Sequence, residues 1–171
     1  DGAAGTAIVT NGSGTLSFSA AGKLVQVVNT QTGAVATGTT QIVLDDSIPQ
    51  KTEGTEFMTL AITPTNASNT LLIDTVAAFH RNTAGRPMCW ALFQDTTAGA
   101  LAAGKEYDNQ ADTECFVFMR HKMTAGTTSA TTFKLRAGAS GANTLTFNGR
   151  GGTRVFGGVC ASSITITEIS A

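Results

Sequence analysis

Residues 56–80 read EFMTLAITPTNASNTLLIDTVAAFH and hold two apolar segments joined by a polar turn, PTNASNT. In the first segment Met58, Leu60 and Ile62 alternate with Phe57, Thr59, Ala61 and Thr63. That period of two is the mark of a β-strand. In the second, Leu71, Ile73, Ala77 and Phe79 fall on one face, while Leu72, Val76 and Ala78 make the opposite face nearly as apolar. A strand apolar on both faces needs cover on both. One cover is a sandwich core; the other is a second layer or another subunit.

Outward from this pair the chain repeats the same grammar. Residues 23–30 (KLVQVVNT), 41–45 (QIVLD), 88–95 (MCWALFQD), 115–123 (CFVFMRHKM), 131–137 (TTFKLRA) and 159–169 read as strands, with a short one around Leu145 and Phe147. Between them lie a Gly/Thr-rich loop at 31–40, a solvated connection at 46–55, and turns at 124–130 and 138–143. Residues 96–104 (TTAGALAAG) are small and read as a weak helix at best. In the last strand Ile164 and Ile166 are in phase and Ile169 is not, which predicts a bulge or an end effect. About ten short strands with frequent turn signals predict an all-β fold, an antiparallel two-sheet sandwich of jelly-roll type. Residues 1–22 hold too little apolar mass for a core and read as an N-terminal neck. Asn11-Gly12-Ser13-Gly14 would turn it into a hairpin, with the sandwich spanning 23–171.

Of the 171 residues 13 % are charged, against a usual share of about 25 %. The net charge of −1 supplies no basic field, so nucleic acid is not an expected partner. No run approaches the ~20 apolar residues of a membrane span, so membrane insertion is not expected. Cys89, Cys115 and Cys160 are odd in number and sit in apolar strands. They are expected to be buried free thiols of a protein made in a reducing cytosol. The chain opens at Asp1 rather than Met, which suggests a C-terminal piece of something longer or a processed product.

Catalytic readings find little support. His80 and His121 lie at strand ends, and no G-x-S-x-G motif accompanies them. Glu106, Asp108, Asp112 and Glu114 read as one solvated acidic loop. They show neither the D-x-[DN]-x-[DN]-G pattern of a calcium loop nor a clear glycosidase pair. No cofactor, metal or catalytic residue is expected. Gly149-Arg150-Gly151-Gly152 reads as a hairpin turn, not a phosphate loop. The remaining candidates sit in loops, where sandwiches usually bind. Arg81, Asn82 and Arg86 offer donors to sugar hydroxyls or acidic glycans. Tyr107 offers an aromatic face flanked by Asp108 and Asn109. Trp90, mid-strand, is assigned to the core.

Three pieces of the chain together resemble one family. Residues 5–18 (GTAIVTNGSGTLSF) resemble the GxxGQVLTSNGxGxLSW linker of phage tail fibres, with Ala7-Ile8 in place of the usual Gln-Val. Residues 23–74 resemble the fibre-tip pattern of a KVLQVV strand, a Gly/Thr loop and TEFxxLxITPTxxxNxLLI. ALFQD at 91–95, AGTTSATTFKLR at 125–136 and SITITEI at 163–169 continue it. The resemblance implies a phage tail-fibre or tailspike tip, a non-enzymatic homotrimer at the distal end of a virion. Such a tip would be made in the bacterial host's cytoplasm and would bind a polysaccharide or protein on the host surface. The alternative it allows is a trimerisation and folding cap whose upstream region binds or cleaves the receptor. The loops at 81–87 and 105–114 match nothing in the family pattern, so no binding residue is carried over from it.

Overall fold

A computed structural model describes residues 22–171 and, as backbone only, residues 6–10 and 16–20. Strands β1 (Thr6–Thr10) and β2 (Leu16–Ala20) pair antiparallel. The turn assigned to Asn11–Gly14 lies outside the described residues.

The rest forms two antiparallel sheets. The larger is built on β6 (Thr70–Arg81). Along one edge β6 pairs with β9 (Thr113–Thr124). Its other edge is shared: β14 (Ser162–Ile169) takes Thr70–Val76 and β11 (Leu145–Phe147) takes Phe79–Arg81. Outside these lie β3 (Leu24–Thr32) on β14 and β4 (Ala36–Gly38) on β11. The smaller sheet runs β5 (Thr55–Ile62), β10 (Thr131–Ala139), β7 (Met88–Gln94), β8 (Ala102–Glu106). A minimal hairpin joins β12 (Gly149–Arg150) to β13 (Thr153–Arg154). Its turn is Gly151-Gly152, at φ 55° and 81°, the left-handed pair a tight hairpin requires.

The two strands of the 56–80 stretch therefore belong to opposite sheets, and their inward faces meet. Met58, Ile62, Leu71, Ile73, Ala77, Phe79, Leu92, Phe133, Leu135, Ile164 and Ile166 share one core. Phe57 departs from the alternation. The β5–β10 register jumps from Leu135↔Met58 to Arg136↔Glu56. This bulge lets Phe57 and Met58 both turn toward the core. Phe57 lies 5.1 Å from Phe79 and 5.3 Å from Phe147, ring centre to ring centre.

Three other expectations are corrected. Residues 41–45 form no strand. Val43 N–H donates to Glu53 Oε1 at 3.0 Å and Gln50 N–H to Glu53 Oε2 at 2.6 Å, so one carboxylate takes the place of a ladder. This segment folds Ile42, fully buried, over Cys89, Ala91 and Phe93, capping the outer face of the smaller sheet. The loop expected at 31–40 holds the end of β3 and all of β4. The weakly helical 96–104 leads into β8, where the Trp90 ring lies over Gly104. A Cβ added there would stand 2.7 Å from the indole, so the close approach requires glycine. Trp90 is half-buried against the core.

Among the described residues, the outer face of the larger sheet is covered by the β12–β13 hairpin at its Ala78 and His80 end only. Leu72 and Val76 are half-buried, and beside them Phe116 and Phe118 of β9 are 59 % and 67 % exposed.

Candidate functional site

β6 ends at Arg81, and the arginine turns inward. It is buried, contrary to the expectation that it would face a ligand. Its Nη1 donates to the Arg86 carbonyl and its Nη2 to the carbonyls of Asp108 and Gln110. One guanidinium thus ties the loop at 82–87 to the loop at 107–112. Nε has no protein partner. A cavity of about 10 Å³ is bounded by Arg81, Met88, Glu106, Asp108, Thr113 and Cys115. Burial, with Glu106 adding to it, raises the Cys115 thiol far above its ordinary range, so it stays protonated. Burial raises Cys89 likewise. All three cysteines are free; Cys89 is buried and the other two are half-buried.

A third loop, 140–144, joins the other two. Asn143 Nδ2 donates to the Thr83 carbonyl at 3.1 Å, and Thr144 N–H to Asn82 Oδ1 at 3.3 Å. Ser140 N–H reaches the Pro87 carbonyl at 2.9 Å. A Cβ on Gly141 would meet the Arg86 side chain at 2.8 Å, so Arg86 lies flat against that glycine. Gly85 faces Asn109 in turn.

The structure therefore brings five of the six sequence candidates to one rim. Asn82, Arg86, Tyr107 and Asn109 are exposed, and Asp108 is half-buried. Asp108 is largely spent on its own loop. Its Oδ1 accepts from Gln110 N–H at 2.9 Å and its Oδ2 from Thr113 Oγ1 at 3.3 Å. The acidic loop read from sequence is split, since Glu106 closes β8 and Glu114 belongs to β9. No group of three or more metal-ligating side chains forms among the described residues.

Sequence reasoning missed two features of this end. His80 is buried on the outer side of β6, where its Nδ1 accepts from Gly151 N–H at 3.4 Å. Its Nε2 lies 3.3 Å from Asp112 Oδ1. Arg150, on the β12–β13 hairpin, lies 3.9 Å from Asp112 and 4.0 Å from Glu114. Only the hairpin's fold onto β6 makes these neighbours, and no spacing in the sequence announces it.

At the opposite end a carboxylate is buried instead. Glu168 continues the inward phase of Ile164 and Ile166, and β14 slips its register against β3 just after it. Glu168 accepts from Gln26 Nε2 at 2.6 Å, Asn69 Nδ2 at 2.6 Å, and Thr65 N–H and Oγ1 at 2.8 and 2.9 Å. Burial pushes its pKa up, but the bonds from Gln26, Asn69 and Thr65 outweigh it and hold the carboxyl at about 2. Every oxygen is committed, so this end presents a closed structural knot.

No protein-family model matches the chain, and no curated sequence does. Among solved structures it is similar to dimeric latent PorU from Porphyromonas gingivalis, at 9 % identity and a TM-score of 0.40 over 89 % of this chain and 14 % of that one. It is similar to the VP2 subviral particle of infectious bursal disease virus, at 11 % identity and 0.39 over 95 % and 42 %. A sugar-binding EclA C-terminal domain aligns at 15 % identity and 0.35, over 81 % of this chain and 82 % of that one. The chain spans less than half the length of the first two.

Proposed function

We propose that this chain is the distal domain of a virion fibre and that its 82–87, 107–112 and 140–144 rim binds a bacterial surface component, a glycan foremost. The observation that carries the reading is convergence. Asn82, Arg86, Tyr107 and Asn109 come from separate points of the chain to one exposed rim, on a frame fixed by the buried Arg81. Donors, acceptors and one aromatic face are what a sugar's hydroxyls and apolar ring face require. The resemblance to tail-fibre tips supplies the biological setting, and binding without bond cleavage is the chemistry proposed. Several copies on one particle would convert weak single contacts into firm attachment.

The test sets the chain against an array of bacterial surface polysaccharides and against whole cells. Tyr107→Ala is expected to weaken binding about tenfold, the scale of one lost aromatic contact, with the melting temperature unchanged. Unchanged binding removes Tyr107 from the site.

The exposed Phe116 and Phe118 favour a second reading, an assembly cap whose upstream region does the binding. A chain that binds no cell, yet drives oligomerisation of a segment fused before it, would establish the cap.

A further inference from the structure

At the rim the protein uses up its own charged acceptors and leaves donors over. Asp108 commits one carboxylate oxygen to Gln110 N–H and the other to Thr113 Oγ1. Asp112 lies 3.3 Å from His80 Nε2 and 3.9 Å from Arg150. Asn82 Oδ1 accepts from Thr83 Oγ1 and from Thr144 N–H, both at 3.3 Å, which leaves its amide hydrogens for another partner. Asn143 Oδ1 has no donor, but it is buried out of a ligand's reach.

Arg86 is the opposite case. It is exposed, and among the described residues its guanidinium forms no ion pair. Its place is nevertheless fixed. The Arg86 carbonyl accepts from the buried Arg81, and the next carbonyl, of Pro87, accepts from Ser140 N–H at 2.9 Å. The side chain rests on Gly141, which is buried: a Cβ there would stand 2.8 Å from Nε and 3.0 Å from Cδ and Cζ. An arginine held in this way gives up less freedom when its fork closes on a ligand.

Arg81 adds to the field. Its guanidinium is met by three carbonyls, and no carboxylate stands within ion-pair distance among the described residues. Glu106 and Asp108 border the same small cavity, yet neither pairs with it. Dipoles solvate that charge without neutralising it, so it reinforces the positive potential around Arg86.

We infer that the rim selects an anionic sugar, and that Arg86, held over Gly141, receives its carboxylate or phosphate oxygens through a two-pronged contact. The Asn82 amide and the Tyr107 ring then meet the hydroxyls and the apolar face of the same sugar. The inference rests on the receptor-binding reading and names the substrate class of that rim.

The experiment titrates the whole chain with bacterial surface polysaccharides of three kinds: neutral, uronate-bearing and phosphate-bearing. Charged polymers are expected to bind at least about tenfold more tightly than neutral ones. The source of the charge is read by removing it. Reduction of carboxyls to alcohols abolishes the preference if the ligand is a uronate, and hydrogen fluoride cleavage of phosphodiesters does so if it is a phosphate. Arg86→Gln is expected to lose that tenfold on charged polymers and to leave weak neutral binding as it was. Arg86→Lys should recover part of the loss, since it keeps the charge without the fork. Gly141→Ala keeps the arginine but displaces it, and should weaken charged-polymer binding several-fold. Both positions leave the Arg81 bond to the Arg86 main chain in place, so melting temperatures should be unchanged. Tyr107→Ala should weaken charged and neutral ligands alike. Neutral polymers bound as tightly as charged ones overturn the inference and leave the receptor-binding reading standing. Charged-polymer binding that Arg86→Gln does not change overturns it too. A chain that binds none of the three kinds overturns both.

Discussion

Each end of the sandwich is organised by one buried charge, and the two are solved in opposite ways. At one end Glu168 accepts four hydrogen bonds from Gln26, Thr65 and Asn69, so its donors close over it. At the other, the Arg81 guanidinium is held only by main-chain carbonyls of two loops, with Nε unpartnered and a small cavity beside it. A charge satisfied by side chains of strands and a short turn makes a rigid knot. A charge satisfied by loop carbonyls holds the loops in place while leaving their side chains free to face outward. The difference separates a closed structural end from the end proposed to bind, although both look equally polar in sequence.

The largest expected effect lies at the Glu168 end. Glu168→Ala leaves the buried Asn69 amide and the less buried donors of Gln26 and Thr65 without their acceptor, and should cost about 3 kcal/mol of folding stability, read by urea unfolding. Glu168→Gln should recover little, because its amide group would meet other donors. A loss well under 1 kcal/mol for Glu168→Ala would mean that the end is not held as described.

Acid should reveal the same residue. The folded carboxyl sits at about 2 against an ordinary 4.5, so Glu168 stabilises the fold fully above pH 4.5. That contribution drains away as pH falls from 4.5 toward 2, because the unfolded chain then binds the proton first. Glu168→Gln should flatten this part of the stability–pH curve. An unchanged slope would assign the acid sensitivity to other carboxylates.

Arg81→Ala should cost less, about 2 kcal/mol, but should be felt elsewhere. Amides of 82–87 and 107–112 should exchange faster, and receptor binding should fall although Arg81 itself touches no ligand. Amides around Thr65 and Asn69 should be unaffected. Equal loosening at both ends would mean that Arg81 does not hold the two loops specifically.

Much of this frame is legible in the sequence, because alternation reports burial directly. Met58, Leu60 and Ile62, or Phe133 and Leu135, announce their faces without help. Reading fails where local geometry breaks the period. The bulge at Phe57 depends on its pairing with Leu135 and Arg136, which no single strand reveals. Ala102–Glu106 is a strand because it lies beside β7, and its small residues carry no propensity to say so. Residues 41–45 look like a strand yet are closed by the Glu53 carboxylate, a partner eight or more residues away. Glu168 keeps the phase of Ile164 and Ile166, and that phase was the available clue to an inward acid. At the proposed rim, residue chemistry singled out Asn82, Arg86, Tyr107 and Asn109, which the structure leaves exposed, but could not foresee that Arg81 would hold their loops from within. Its burial follows from the three carbonyls that the folded loops bring to it.

On the proposed reading the Arg81 end, and not the Glu168 end, meets the receptor. The measurement that tests it most directly is amide chemical-shift mapping of the labelled chain on adding a polysaccharide that the array shows it to bind. Shifts are expected to be confined to residues 82–87, 107–112 and 140–144, with 63–69 and 124–130 silent. Shifts centred on 63–69 and 124–130 would contradict it.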